Sequence, residues 1–224
     1  GGYLKILKSK GIKNSFEVIT NGFDPDDFLN IPKIETNKFV ITYTGNMPIT
    51  RNPEMLWQVF DELVTENSDF KQKFEFWFAG VMDEEIRSNI SDRPFYQNFK
   101  DFGYVSHSKA IEIVFNSHLL IMIVNKVKTS NEILPGKIFE YIATGNQIMV
   151  IGPEEGEAGE LIRQVEQGEA FNYVKKDEMK GYIIERFKDF KDGKIEKYYS
   201  EASHKFTREK ITEKLSRILG SLIL

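Results

Sequence analysis

Short runs rich in β-branched and aromatic residues alternate along the chain with segments whose apolar positions recur at helical spacing. Lys38–Thr44 (KFVITYT), Phe74–Gly80 (FEFWFAG), Gln147–Ile151 (QIMVI) and Glu169–Tyr173 (EAFNY) read as strands, and Asn98–Val105 holds another before a turn at Gly103. His118–Asn125 (HLLIMIVN) is apolar almost without a break, as a strand buried on both faces must be. Phe16–Thr20 (FEVIT) is predicted as a first strand, closed by Asn21-Gly22.

The intervening segments predict helices. One starts at Asn52 as N-cap with Pro53 in the first helical position and carries Met55, Leu56, Val59, Phe60 and Leu63 inward. Others are predicted over Asp83–Ile90, Ser106–Asn116, Pro135–Thr144 (stopped by Gly145) and Ala158–Gln167. The chain is helix-rich from Asp177 and ends in an amphipathic segment, Arg208–Leu222, whose apolar face suits either a core or a further domain. Strand–helix alternation at this spacing predicts an α/β fold: a Rossmann-like three-layer α/β/α domain with a parallel sheet. The turn-rich residues 1–36 read as a hinge with its first strand, and 37–224 as the domain proper. The opening Gly1-Gly2 reads as a cut end, so the chain is expected to be a fragment.

Composition narrows the partners. The 224 residues carry a formal charge of −4 with both signs mixed, so no basic face points to nucleic acid. There is no cysteine, hence no disulfide and no thiolate metal site, which suits the cytoplasm. The three histidines are scattered and give neither a metal-binding cluster nor a Ser-His-Asp arrangement, so no metal site is expected. The longest apolar run is too short to span a bilayer.

Ligands of open parallel sheets bind beyond the carboxyl ends of the strands, which selects the loops Gly45–Arg51, Gly80–Asp83, Val105–His107 and Asn125–Leu134. In the first, Gly45 permits close backbone approach and Arg51 stands just ahead of a helix, a site for an anion or simply a solvated arginine. No G-x-G-x-x-G or P-loop signature accompanies it. In the last, Pro135 opens a helix whose first turn holds Gly136 and Lys137, with Glu140 three positions on, on the same face. Positive charge at the helix start suits a phosphate, and a carboxylate in the crevice suits a vicinal diol such as ribose. A solvated Lys-Glu pair fits the same letters.

Taken in order, the segments resemble a known family. Val18–Phe28 (VITNGFDPDDF) resembles the segment leading into the C-terminal domain of glycosyltransferase family 4 enzymes. Ile41–Leu63 is similar to that family's strand, Gly-rich loop and helix, and Phe76–Gly80 and Phe102–Ile123 to its next strands and helices. Glu132–Ile151 (EILPGKIFEYIATGNQIMVI) resembles its E-x₇-E region in the P-G-K-x-F-E-Y form found in polysaccharide-assembly transferases, and Gly159–Phe171 fits the helix and turn that follow.

The resemblance implies the C-terminal, donor-binding half of a GT-B fold, with the acceptor-binding N-terminal domain absent. It implies a retaining, metal-independent hexosyl transfer from a UDP- or GDP-linked sugar to a glycan or lipid-linked acceptor in surface polysaccharide synthesis, with no separate cofactor. It places Glu140 on the ribose, Glu132 near the donor sugar, Arg51 on the diphosphate and the backbone around Val105 against the base. Gly45, Asn46, Pro135 and Gly136 fall on the donor loops. Asn46 stands where many members carry a second basic residue, so Lys137 is the candidate to supply that charge. A cytoplasmic enzyme, with any peripheral attachment to the inner membrane face made by the full-length protein, is the implied setting. The isolated domain is expected to be nearly inactive. A nucleotide-sugar epimerase, a phosphorylase of GT-B architecture and a non-catalytic α/β nucleotide-binding module are the alternatives.

Overall fold

The computed structural model describes residues 2–11 and 16–223. Helix α1 (Gly2–Ser9) comes first; from residue 39 on strands and helices alternate: β1 (Phe39–Thr44), α2 (Glu54–Glu66), α3 (Ser68–Lys73), β2 (Phe74–Ala79), α4 (Glu84–Ser91), β3 (Phe99–Asp101), α5 (His107–Phe115) and β4 (Leu119–Ile123). Then come α6 (Lys137–Ala143), β5 (Gln147–Ile151), α7 (Glu157–Gln164), β6 (Gly168–Phe171), α8 (Lys176–Lys191), α9 (Glu201–His204) and α10 (Arg208–Ile223). The six strands form one sheet in the order β3-β2-β1-β4-β5-β6, all pairs parallel.

Alternate residues of each strand feed opposite faces, which makes three layers. Phe39, Ile41 and Tyr43 of β1, with Phe74, Phe76 and Phe78 of β2, join Leu56, Trp57 and Phe60 of α2, Ile86 of α4 and Met179 and Ile183 of α8. On the other face Leu120, Met122, Ile148 and Val150 meet Ile138, Phe139 and Ile142 of α6 and Leu161 and Ile162 of α7. Each large side chain buried this way contributes about 1.5–3 kcal/mol, so the sandwich, not any one helix, sets the stability.

Strand order reverses between β1 and β4. The chain builds outward from β1 through β2 to β3, then returns to β1's other side. Pairing of β1 with β4 covers only Ile41↔Leu119 and Thr42↔Leu120, although both strands continue to Thr44 and Ile123. The two strands therefore part at their carboxyl ends and leave a crevice. Side chains of α6 replace the missing ladder: the Thr44 amide donates to the Tyr141 hydroxyl (3.0 Å), and Lys137 Nζ donates to the Thr44 carbonyl.

Two expectations fail locally, and one helix was not foreseen. Phe16–Thr20 is irregular rather than a strand; the Val18 carbonyl accepts from the Lys214 ammonium of α10, and the nearby pairing is a single bridge between Phe23 and Thr207. With no strand beside it, the run's β-propensity has no ladder to join. Helix α2 begins one residue late, with Pro53 as its N-cap and no side-chain cap, because the Asn52 side chain accepts from Trp57 Nε1 (2.7 Å) instead. Residues 68–73 form a helix, α3, that no periodicity announced; Asn67 caps it, accepting from the Phe70 amide at 3.0 Å. The ranges assigned to hinge and domain include residues 1, 12–15 and 224, which lie outside the described residues.

Candidate functional site

The four loops chosen from the sequence follow β1, β2, β3 and β4, so all of them stand at the carboxyl edge. Two glycines let the first pair of loops meet. Gly45 (φ +100°) and Gly80 (φ +151°) both lie where side chains are disfavoured, and a Cβ on Gly80 would sit 2.2 Å from the Gly45 carbonyl oxygen. The loops are further tied by the Met47 amide donating to the Val81 carbonyl at 2.9 Å.

Arg51 ends the first loop in a short 3₁₀ turn, Ile49–Arg51. Its guanidinium reaches across the crevice: Nε donates to Asn125 Oδ1 at the end of β4, and Nη1 donates to the Asn46 carbonyl (3.1 Å). The Asn46 carbonyl also accepts from the Tyr43 hydroxyl (2.8 Å), while the Asn46 residue itself stays exposed. Asn125 is a hub that sequence reasoning missed. Its carbonyl accepts from Ser130 Oγ (2.7 Å) and the Tyr173 hydroxyl (3.2 Å), so one residue holds Arg51, the β4 loop and the segment after β6. A lone asparagine after an apolar strand carries no spacing signal.

Lys137 is placed differently from the free cation the sequence suggested. Its ammonium lies under the loop, 3.7 Å from the Tyr43 ring centroid and bonded to the Thr44 carbonyl. Burial first, and the Arg51 charge second, lower its pKa to about 7, against a smaller opposing pull from Glu140. A Cβ on Gly45 would be 3.6 Å from this nitrogen, so the lysine and the loop backbone face one space.

Glu140 is half-buried on α6, and burial raises its pKa. Four charged groups face it: His107 lowers the pKa, Asp27 raises it, and Lys137 and Arg208 lower it. His107 opens α5 and lies 3.8 Å from Asp27 through Nε2. The segment before the domain and the start of α5 thus converge on the glutamate, a meeting the linear sequence does not reveal. Gly136, the N-cap of α6, is exposed, and a Cβ there would come 3.3 Å from Asn21 Nδ2, again from the segment ahead of β1. Pro135 precedes it half-buried.

Glu132 sits in the turn Ser130–Glu132, with α1 against it. Its Oε2 is buried and has no hydrogen-bond partner among the described residues. Val105 turns its side chain toward Val40, Trp77, Ala79 and Ile113, leaving its backbone on the loop after β3. The structure therefore gathers Arg51, Lys137, Gly45 and Asn46 in one crevice, and sets Glu140 on the adjoining helix. Among the described residues no ion pair or hydrogen bond links Glu132 to them, and no group of three or more His, Asp or Glu residues is placed to hold a metal. Nor is any helix there long and apolar enough to cross a membrane.

No protein-family model matches the chain, and no curated protein does. Solved structures do. A mutant of Staphylococcus aureus TarM, solved with fondaparinux, α-GlcNAc-glycerol and UDP, is 18% identical at TM-score 0.69, covering 96% of this chain and 41% of its own. Anabaena HepE in complex with UDP-glucose is 15% identical at TM-score 0.69, covering 92% and 57%. The sucrose-phosphate synthase of Thermosynechococcus elongatus is 13% identical at TM-score 0.71, covering 99% and 56%. The chain spans about half the length of these proteins. At such identities the likeness establishes architecture: this parallel six-stranded α/β domain has the fold of a part of the GT-B glycosyltransferases.

Proposed function

We propose that the chain is the donor-binding half of a retaining, metal-independent glycosyltransferase of family 4 type, transferring a hexose from a nucleotide diphosphate sugar to a glycan or lipid-linked acceptor in surface polysaccharide synthesis. The observation that carries the proposal is the parted crevice between β1 and β4, spanned by Arg51 on Asn125 with Lys137 beneath. In a sheet of this order the switch point is where nucleotides bind. UDP is the favoured nucleotide, because TarM and HepE were solved with UDP and UDP-glucose; GDP is the alternative.

In this assignment Glu140 accepts the ribose hydroxyls and the backbone near Val105 faces the base. The diphosphate lies over Gly45, Asn46, Pro135 and Gly136. Arg51 and Lys137 stabilise the negative charge that grows on the leaving diphosphate as the glycosidic bond breaks. Glu132 takes the donor sugar; its unpartnered buried oxygen is the kind of group a sugar hydroxyl satisfies. The acceptor comes from an N-terminal half, so the isolated chain binds donor weakly and transfers little. Localisation follows the same proposal: a cytoplasmic enzyme, with any peripheral attachment to the inner membrane face made by the full-length protein.

Ligand-observed NMR with a panel of UDP- and GDP-sugars on wild type and Glu140→Ala tests the assignment. Binding by one nucleotide class, weakened by the substitution, supports it; binding by none, or binding indifferent to Glu140, rejects it.

A further inference from the structure

Arg51 also lines a cavity of about 370 Å³ at the carboxyl ends of β4 and β5, in which neither Gly45 nor Lys137 takes part. Leu56, Ile123, Ile151 and Met179, all in the buried core, line it, and Arg51 and Lys126 stand at it. Its size falls in the lower part of the range of small-molecule sites.

The charges around it are unbalanced. Glu54 is the one carboxylate in its lining, and Glu54 is already paired with Arg93. Among the described residues neither Arg51 nor Lys126 forms an ion pair with a carboxylate. Lys126 is exposed, its ammonium 5.7 Å from the Tyr173 ring centroid. The wall is held by the Tyr173 hydroxyl, which donates to the carbonyls of Val124 (3.0 Å) and Asn125 (3.2 Å). Two cations without acidic partners beside an apolar recess complement a ligand with an acidic head and an apolar body.

We infer that this cavity binds a small organic anion, a phosphate monoester or carboxylate on an apolar body of about ring size. The acid group lies between Arg51 and Lys126, and the body rests on Ile123 and Ile151. The site shares Arg51 with the proposed diphosphate position, and the two anions repel each other there. Occupancy of the cavity therefore opposes nucleotide diphosphate binding; this antagonism, unlike the cavity site itself, rests on the proposed function.

Methyl NMR with labelled isoleucine and methionine reads the site without any donor present. Phenyl phosphate is the probe, with inorganic phosphate and phenol as its two halves. Saturable shifts at Ile123, Ile151 and Met179 are expected with phenyl phosphate, at least fivefold weaker with either half. Lys126→Ala, a change at an exposed residue, is expected to weaken phenyl phosphate at least threefold while leaving UDP binding unchanged. Absence of saturable shifts, or equal shifts from phenol and phenyl phosphate that ignore Lys126→Ala, overturns the inference. Saturating UDP is expected to weaken phenyl phosphate at least fivefold, and unchanged affinity overturns the antagonism. Failure of UDP to bind at all rejects the donor assignment instead, and leaves the cavity to be judged by its methyl shifts.

Discussion

The Nε of Arg51, on the loop after β1, donates to Oδ1 of Asn125, at the end of β4, across the point where those two strands part. The bond, with that of Nη1 to the Asn46 carbonyl, fixes a flexible guanidinium at the gap between β1 and β4, with its charge at the crevice. Asn125→Ala removes the anchor and keeps the charge. UDP affinity is expected to fall about 3–10-fold, the worth of one ordinary intramolecular hydrogen bond, with uridine affinity unchanged. Calorimetry with both ligands checks this; equal losses for UDP and uridine would contradict a phosphate-directed role.

Lys137 supplies a pH dependence. Its pKa of about 7 means the free protein holds a partly neutral lysine at physiological pH. A diphosphate beside it favours the charged form, so binding takes up a proton. The sign follows: UDP affinity falls as pH rises above about 7, by about tenfold or somewhat more between pH 7 and pH 8.5. At pH 8, calorimetric enthalpies in two buffers of different ionisation heat are expected to show uptake approaching one proton per UDP. Lys137→Met abolishes both effects. Its melting temperature reads two opposing effects, relief from desolvating an ammonium and loss of the donor to the Thr44 carbonyl, so a large shift either way is not expected. A pH-independent UDP affinity would show that Lys137 does not meet the phosphates.

His118 gives a stability signature separate from the crevice. It is neutral in the fold, its pKa lowered to about 4 chiefly by burial and further by Lys197, and its Nδ1 accepts from the Val40 amide at 3.0 Å. An unfolded histidine titrates near the ordinary value of 6.5. Between those values the unfolded chain holds more protons, so stability is lost as pH falls from about 6.5 toward 4. The loss is on the order of 3 kcal/mol, read as the pH dependence of urea midpoints. His118→Gln is expected to flatten the dependence across that interval.

Gly80→Ala tests the meeting of the β1 and β2 loops. The new Cβ would lie 2.2 Å from the Gly45 carbonyl oxygen at a positive φ. A cost of about 2–4 kcal/mol is expected, and because Gly45 must shift, UDP binding should weaken as well. Thermal melts and NMR titration of the same variant check both halves; a variant as stable as wild type would show that the close approach is dispensable.

The fold was largely legible because its signal is periodic. The apolar run 118–125 and the inward residues of α2 allow few other structures, and the carboxyl-edge loops follow once the sheet is parallel. What escaped prediction depends on tertiary partners. Phe16–Thr20 has strand propensity but no neighbouring ladder. Asn52 has a cap's chemistry, yet Trp57 claims its oxygen. The site divides the same way. Glycine, arginine and lysine on crevice loops could be picked out by position, whereas the burial that lowers the Lys137 pKa and the Asp27–His107 pair facing Glu140 exist only after folding.

In the proposed site one end of a nucleoside diphosphate sits on Arg51 and the other on Glu140. NMR titration of UDP, uridine and 2′-deoxy-UDP into wild type, Arg51→Ala and Glu140→Ala separates the two ends. Arg51→Ala is expected to cost UDP about 10–100-fold and uridine little, while Glu140→Ala erases the preference for UDP over 2′-deoxy-UDP. Losses equal for all three ligands in both variants, or no binding to the wild type, would contradict this assignment.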